Sequence, residues 1–276
     1  MNAAYRALCA RLQAAGVPDA HFDAAQLYRF VTGRDPRLDD GPTPAEAERL
    51  DALAARRAAR EPLQYLLGTW DFLDFTLQVG PGVLCPRADS EVVCEAAVEC
   101  LRGIAAPVVL DLCAGTGCLG LGVARSCPGA QVTCVEKSPD AWPYLQVNTH
   151  GTGVKTVQAD VFAWHRTLAP QSVDLILCNP PYLTAAEMAA RMPETAHEPA
   201  LALDGGPDGL AFYRLLTQQY RAPLRPGGWL VVEIGCAQAA AVLALGRQYG
   251  WQNGACRKDY GGNDRVILLQ KPDAPV

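Results

Sequence analysis

Short apolar runs alternate with segments of helical spacing from residue 107 to the end of the chain, and this alternation restricts the fold more than any other feature. It predicts an α/β fold, in which helices cover both faces of a mostly parallel sheet. The predicted strands are 108–112, 131–136, 155–160, 172–178, 228–234 and 264–270. The predicted helices lie near 118–126, 139–149, 208–222 and 236–249. Open sheets of this kind bind ligands at the carboxyl ends of their strands.

Residues 1–68 have helical spacing and no convincing strand, which predicts a separate N-terminal helical domain. The clearest helix start is at Thr43, which is followed by Pro44 and then by Glu46 in the pattern of a capping box. We expect this domain to contact the partner of the protein. Three arginines crowd the end of its third helix, where a solvated helix end is favoured over partner contact: Arg56, Arg57 and Arg60.

A β-hairpin is expected to link this domain to the rest of the chain over residues 69–89. Its predicted strands are 70–79 and 83–85, and the glycine-rich piece 80–82 is the predicted turn. The alternating α/β region then defines a second domain at 90–276.

Composition excludes several classes of protein. The net charge is −5, whereas proteins that bind nucleic acid through its phosphates are normally basic, so a nucleic-acid partner is disfavoured. The eleven cysteines include no C-x-x-C pair and the four histidines have no ligand spacing, so we expect reduced thiols and no metal. The chain shows no secretory signal and no apolar run of about eighteen residues, which predicts a cytoplasmic protein without a membrane partner. We expect a monomer.

The residues Asn179, Pro180, Pro181 and Tyr182 follow the apolar run 173–178, which reads as a buried parallel strand. The first proline biases Asn179 toward an extended backbone. The Asn179 side chain and the Pro180 carbonyl then form an edge of acceptors beside an aromatic face. Such an edge suits a planar NH2 group, although Asn-Pro-Pro is also ordinary turn chemistry. The tetrapeptide therefore indicates chemistry on an amide or amino nitrogen.

Acidic residues end three of the predicted strands beside a glycine turn. Asp111 precedes the turn at 113–118, Glu136 follows the glycines by the spacing typical of a ribose ligand, and Asp160 closes the next strand. Asp160 is suited to accept from an adenine amine, with Val161 or a neighbouring aromatic ring over the base. Together they predict a nucleoside pocket, which at this point fits either NAD or S-adenosylmethionine.

The turn at 111–117, taken with Asn179 to Tyr182, resembles the class I S-adenosylmethionine-dependent methyltransferases that act on amino or amide nitrogen. Further segments are similar to the HemK/PrmC family of release factor glutamine methyltransferases: 61–65, 86–91, 198–206, 208–210 and 258–266. The resemblance covers nearly the whole chain. It implies a Rossmann-like fold with a mostly parallel seven-stranded sheet and S-adenosylmethionine as cofactor. It also implies methylation of the glutamine amide in the Gly-Gly-Gln motif of a peptide chain release factor.

The resemblance implies a set of site residues as well. Those implied for the cofactor are Asp111, Cys113, Ala114, Gly115, Thr116, Gly117, Glu136, Asp160, Val161 and Asn179. Those implied for the substrate are Asn179, Pro180, Pro181, Tyr182, Arg87 and Glu91, with Asn179, Pro180 and Tyr182 catalytic. Family members often have Gly at the position of Cys113, so this residue either avoids the left-handed conformation or adopts it under strain. They commonly have an acidic or aromatic residue at the position of Val161.

The expected reaction is direct in-line methyl transfer, because no general base or metal cluster is evident near the tetrapeptide. Positioning and charge stabilisation would then supply the catalysis. Four alternatives remain: a ribosomal-protein glutamine methyltransferase, a DNA or RNA adenine methyltransferase that flips its target base, a NAD-dependent oxidoreductase and a non-catalytic binding module.

Overall fold

A computed structural model describes residues 2–273, so the first residue of the predicted N-terminal domain and the last three of the second domain lie outside it. The helices are α1 (Ala3–Ala14), α2 (Ala20–Thr32), α3 (Pro44–Ala58), α4 (Leu63–Leu67), α5 (Glu91–Cys100), α6 (Cys118–Ser126), α7 (Trp142–Thr149), α8 (Val161–Trp164), α9 (Ala185–Ala190), α10 (Ala211–Gln219) and α11 (Ala239–Gln248). The strands are β1 (Thr69–Phe72), β2 (Phe75–Gln78), β3 (Val108–Leu112), β4 (Gln131–Glu136), β5 (Lys155–Gln158), β6 (Val173–Cys178), β7 (Leu224–Glu233), β8 (Gln252–Lys258) and β9 (Asp264–Gln270).

Helices α1 to α4 pack around a core of their own, which includes the fully buried Leu12, Leu27 and Tyr28. The predicted capping box of α3 is confirmed, since Thr43 accepts from the Glu46 amide and the Glu46 side chain accepts from the Thr43 amide.

The hairpin between the two parts is shorter than predicted. Strands β1 and β2 pair antiparallel, and the chain reverses at Leu73 and the residue after it. The turn contains no glycine, and Leu73 itself adopts a positive φ of 52°, a conformation that glycine usually supplies. The prediction of a second strand at 83–85 was wrong: Val83 and Cys85 are buried in a loop that borders the functional site.

The main sheet confirms the predicted fold class. Its seven strands have the order β5-β4-β3-β6-β7-β9-β8, in which β3 to β7 and the edge strand β8 run in one direction and β9, between β7 and β8, runs antiparallel to both. Strand β8 was not among the predicted strands. It is an edge strand whose side chains are exposed or half-buried, so it lacks the apolar run by which the other strands are recognised.

The register of the strands brings the residues of the candidate site close together. Leu112 lies beside both Val135 and Cys178, and Cys178 lies beside Val232. The residues that come next at the carboxyl ends of β3, β4, β6 and β7 therefore gather at one edge of the sheet.

Candidate active site

A cleft runs along this edge of the sheet and contains most of the predicted site residues. Those that line it are Arg87, Asp111, Cys113, Ala114, Gly115, Thr116, Glu136, Asp160, Val161, Asn179 and Pro181. Tyr182 lines a second cavity, which shares Arg87 and Asn179 with the first. Three predicted residues, Gly117, Pro180 and Glu91, line neither.

The glycine turn is held in a left-handed conformation at every second residue. Cys113, Gly115 and Gly117 have φ values of 58°, 55° and 83°. Cys113 therefore adopts the left-handed conformation that glycine tolerates and a side chain resists. A Cβ on Gly117 would lie 2.8 Å from Leu145, so this glycine permits close packing rather than facing the cleft.

Glu136 fixes the shape of the turn. Its two carboxylate oxygens accept from the Gly115 amide at 2.8 Å and from the Ser138 amide at 2.6 Å. Each oxygen keeps a second lone pair, and the residue lines the cleft. The carboxylate can therefore hold the turn and still accept from a ligand hydroxyl.

Asp111 retains an unused oxygen. Oδ2 accepts from the Gly120 amide at 2.8 Å, whereas Oδ1 is buried and has no hydrogen-bond partner within residues 2–273. Burial is the main reason that the pKa of Asp111 rises to about 7, and the nearby Glu136 charge adds to it. A buried carboxylate with one free oxygen at a cleft wall suits a cationic ligand group.

Asp160 begins α8 and is already engaged. Its carboxylate accepts from the Phe162 amide at 2.9 Å and pairs with Lys137 at 2.9 Å. Burial raises its pKa, but the hydrogen bonds from Lys137 and Phe162 outweigh burial and lower the pKa overall. The ring of Phe162 meets that of Phe212 edge to face at 5.0 Å, and both line the cleft next to Val161. This aromatic wall suits a planar base.

Two residues hold Asn179: Ser90, which lies in the family-like segment 86–91 but was not among the predicted site residues, and Glu233, which sequence reasoning missed. Its Nδ2 donates to Ser90 Oγ over a long 3.5 Å, and Ser90 Oγ donates to Glu233 Oε2 at 2.5 Å. Glu233 is 2% exposed at the end of β7, and burial raises its pKa to about 7. The sequence did contain a signal for Glu233, because it is an acidic residue at the end of a strand that neighbours β6. Asp111 and Glu136 were predicted from the same kind of position.

Gln238 fixes the backbone of the tetrapeptide. Its Nε2 donates to the Tyr182 carbonyl at 3.0 Å, and its Oε1 accepts from the Gly235 amide at 2.9 Å. A Cβ on Gly205 would lie 2.6 Å from Tyr182 Cα, so glycine is required at this contact. Burial raises the pKa of Tyr182 to about 12, which keeps its hydroxyl neutral.

Arg87 and Glu91 occupy different places, although both were predicted to bind substrate. Arg87 donates to the buried Glu198 at 2.7 Å and lines both cavities. Glu91 instead accepts from the Leu73 amide at 2.9 Å and so joins the hairpin to α5.

The arginines at the end of α3 divide between two roles. Arg56 pairs on the surface with Glu61, whereas Arg57 is 5% exposed and donates to Asp23 at 2.7 Å. Arg57 and Arg60 both donate to Glu194, at 2.9 Å and 2.6 Å. A solvated helix end was therefore the wrong interpretation for Arg57. This pair of arginines ties the N-terminal helices to the segment that borders the second cavity.

Comparison with known proteins shows the family to which the chain belongs. Residues 3–68 match the family described as PrmC N-terminal domain, and residues 76–205 match the methyltransferase small domain. A release factor glutamine methyltransferase of Geobacter sulfurreducens is 40% identical over 91% of this chain and 90% of its own. One from Moorella thermoacetica is 38% identical over 95% of each chain. The chain belongs to the release factor glutamine methyltransferase family.

One solved structure supports the fold assignment of this family member. The hMettl16 catalytic domain, in complex with MAT2A 3'UTR hairpin 6, aligns with a TM-score of 0.55 at 16% identity. The alignment covers 81% of this chain and 82% of that one. At this identity the likeness concerns the methyltransferase fold alone.

Metal-binding clusters and membrane-spanning helices are both absent from the described residues. Within residues 2–273 no three or more His, Cys, Asp or Glu side chains are grouped so as to hold a metal ion. The described helices include none with the length and apolar character needed to cross a membrane.

Proposed function

We propose that this protein transfers a methyl group from S-adenosylmethionine to the side-chain amide nitrogen of the glutamine in the Gly-Gly-Gln motif of a peptide chain release factor. The observation that carries the proposal is the acceptor edge at Asn179, which lies where the two cavities meet. Family membership supports the substrate, since the relatives are named for release factor glutamine methylation. We infer a cytoplasmic location, because release factors act in translation.

The residues of the first cavity fit the cofactor. Asp111 Oδ1 suits the ammonium group, Glu136 the ribose hydroxyls, and the wall of Val161, Phe162 and Phe212 the adenine. Asp160 would accept from the adenine amine while it stays paired with Lys137. When bound, S-adenosylmethionine supplies an electrophilic methyl group on a sulfonium.

The acceptor residues would do the positioning. Asn179 Oδ1, whose residue lines both cavities, would accept one N–H bond of the glutamine amide and turn its nitrogen toward the first cavity. The Pro180 carbonyl, whose residue lines neither cavity, is proposed as the second acceptor from its place in the tetrapeptide. These acceptors would stabilise the positive charge that develops on the nitrogen as the carbon–sulfur bond breaks. The methylated nitrogen then loses one proton to water as the products leave, so that a neutral secondary amide and an uncharged thioether remain. Tyr182 and Pro181 would cover the amide and exclude water. We further propose that residues 1–68 form a domain that recognises the release factor, that 69–89 form a linker and that 90–276 form the catalytic domain.

Methyl transfer from labelled S-adenosylmethionine tests the proposal. Release factor, ribosomal protein and duplex DNA are offered in parallel, and we expect label only on the release factor, at the glutamine. Label on a ribosomal protein or on DNA instead would overturn the substrate assignment.

The role of Asn179 is tested in the same assay. Asn179→Ala should lower kcat by roughly 100-fold to 1,000-fold with little change in cofactor affinity, because it removes an acceptor that acts on developing charge. Asn253→Ala, on the exposed edge strand β8, is the matched control and should retain wild-type activity. Near wild-type turnover in Asn179→Ala would refute the proposed mechanism.

A further inference from the structure

Ser90 lies where the 3-10 turn Ala88–Ser90 runs into α5, and its backbone is helical there, with φ −77° and ψ −12°. Its hydroxyl makes no bond to the backbone amides of α5 within the described chain. It joins Asn179 to Glu233 instead. Ser90 and Glu233 are each 2% exposed, and they line the first and the second cavity respectively. Ser90 thus links Asn179 and Glu233 in a largely buried polar chain.

Proton counting fixes the direction of this chain. An ionised Glu233 can only accept, so the single hydroxyl proton of Ser90 goes to it. Ser90 Oγ then offers only lone pairs to Asn179, and the group that faces it must be the NH2 of the carboxamide. The carboxamide oxygen is consequently left to point away from Ser90. The hydrogen-bond network thus decides the amide orientation, as it must for any asparagine.

We propose that Ser90 and Glu233 are positioning residues that hold the Asn179 oxygen toward the acceptor, so that the site selects a side chain with two N–H donors and rejects a carboxylate. The inference rests on the proposed function, since it concerns the choice of glutamine over glutamate. Neither residue needs to touch the substrate. A reversed Asn179 would present its NH2 group, which repels an amide nitrogen and attracts a carboxylate.

The surroundings keep Glu233 available for Ser90. Its strand partner places it beside Asn179, because Cys178 pairs with Val232 in the parallel register. Arg265, whose charge acts on Glu233, donates instead to the buried Asp259 at 3.0 Å and to the Ile234 carbonyl at 3.3 Å. Within residues 2–273 Glu233 therefore forms no ion pair, and its carboxylate binds the hydroxyl of Ser90.

Protonation of Glu233 would allow the side-chain amide of Asn179 to reverse. A protonated Glu233 can donate to Ser90 Oγ, which frees the serine proton to bond with Asn179 Oδ1 and stabilise the reversed amide. Activity should therefore fall as pH falls through the pKa of Glu233, raised by burial to about 7. The titratable and charged groups that face Glu233 are Arg87, Asp89, Cys118, Tyr182, Tyr213 and Arg265.

Variants at the two residues test the proposal on the full-length enzyme with release factor as substrate. A release factor in which the motif glutamine is replaced by glutamate serves as a competitive inhibitor. Ser90→Ala should lower kcat roughly tenfold, the effect of one hydrogen bond, and tighten the inhibitor relative to substrate by a similar factor. Ser90→Thr retains the hydroxyl and should restore both values. The dissociation constant of S-adenosylmethionine should stay within about twofold in each variant.

The pH profile is the readout that a structural role would not change. At saturating S-adenosylmethionine, where the bound ammonium group keeps Asp111 ionised, wild-type kcat/KM for release factor should fall about fivefold from about pH 7 to pH 6, as expected for one required deprotonated group. Glu233→Gln cannot titrate, so its profile should be flat over that range, whereas the matched control Glu99→Gln on the surface end of α5 should keep the wild-type profile.

Two outcomes separate this inference from the proposed function. If wild-type enzyme does not methylate release factor, the proposed function fails first. If it does, and Ser90→Ala and Glu233→Gln keep wild-type glutamate discrimination and pH profile, the positioning chain alone is refuted.

Discussion

Asp111 and Glu233 are two buried carboxylates at one edge of the same sheet, and they are used in opposite ways. Each is at most 2% exposed, and burial raises the pKa of each to about 7. Asp111 leaves Oδ1 without a partner in the described chain, whereas Glu233 binds Ser90 at 2.5 Å. The cofactor half of the site, around Asp111 and Glu136, thus leaves a carboxylate oxygen free for a ligand. The acceptor half, around Asn179, uses the Glu233 carboxylate within the protein to orient the neutral amide of Asn179.

Between these two carboxylates, the largest expected effect concerns the free oxygen of Asp111. Asp111→Ala should weaken S-adenosylmethionine binding about 100-fold, because a charge-assisted hydrogen bond in a buried setting is lost. Turnover at saturating cofactor should change less than about threefold. Calorimetric titration and steady-state kinetics measure the two quantities. Glu233→Gln should leave the affinity unchanged, and the comparison collapses if both variants, correctly folded, bind the cofactor equally well.

The second prediction concerns stability without ligand. The folded pKa of Asp111 lies above its ordinary value, so the folded protein binds more protons in this range and loses stability as pH rises toward 7. The loss from this residue should be about 2 kcal/mol between about pH 5 and 7. Urea unfolding of wild type and Asp111→Asn at the two pH values measures it. Identical pH dependence in the two proteins would show that Asp111 is ionised in the fold throughout.

The third prediction tests the strained turn of the cofactor half. At Cys113, with its positive φ, Gly should be more stable than Ala by about 1 kcal/mol, the reverse of their order in a helix. Urea unfolding of Cys113→Gly and Cys113→Ala gives the difference, and the same pair at Ala124 within α6 serves as the control with the usual order. A more stable Ala variant at Cys113 would mean that the turn has another conformation.

The smallest expected effect lies on the acceptor half. Glu194→Ala removes the contacts to Arg57 and Arg60, which tie the wall of the second cavity to the N-terminal helices. The KM for release factor should rise about threefold, with kcat and cofactor affinity unchanged, since Arg57 stays paired with the buried Asp23 and only the contacts of the partly exposed Glu194 are lost. Glu61→Ala, which breaks the surface pair with Arg56, is the control. A change in cofactor affinity would argue against the separation of the two halves.

The sequence predicted the cofactor half better than the acceptor half for a physical reason. Most of the cofactor half is local: the turn after β3 and the acidic ends of β3 and β4 lie within one stretch of chain, so apolar runs and glycine spacing reveal them. Ser90 contacts Glu233 across 143 residues, a contact that no local pattern encodes. The hairpin turn was predicted in the wrong place because Leu73 adopts a left-handed conformation, and leucine is not a residue type that signals such a turn.

The long separation between Ser90 and Glu233 also has a consequence for the order in which the protein acquires its activity. A contact that closes so long a loop costs more chain entropy than the turns around Asp111, and it forms only after β7 has docked beside β6. We expect a partly folded chain to assemble the cofactor turn before the acceptor edge. A chain shortened before β7 therefore has all the residues of the cofactor turn but lacks Glu233, the residue that completes the acceptor edge.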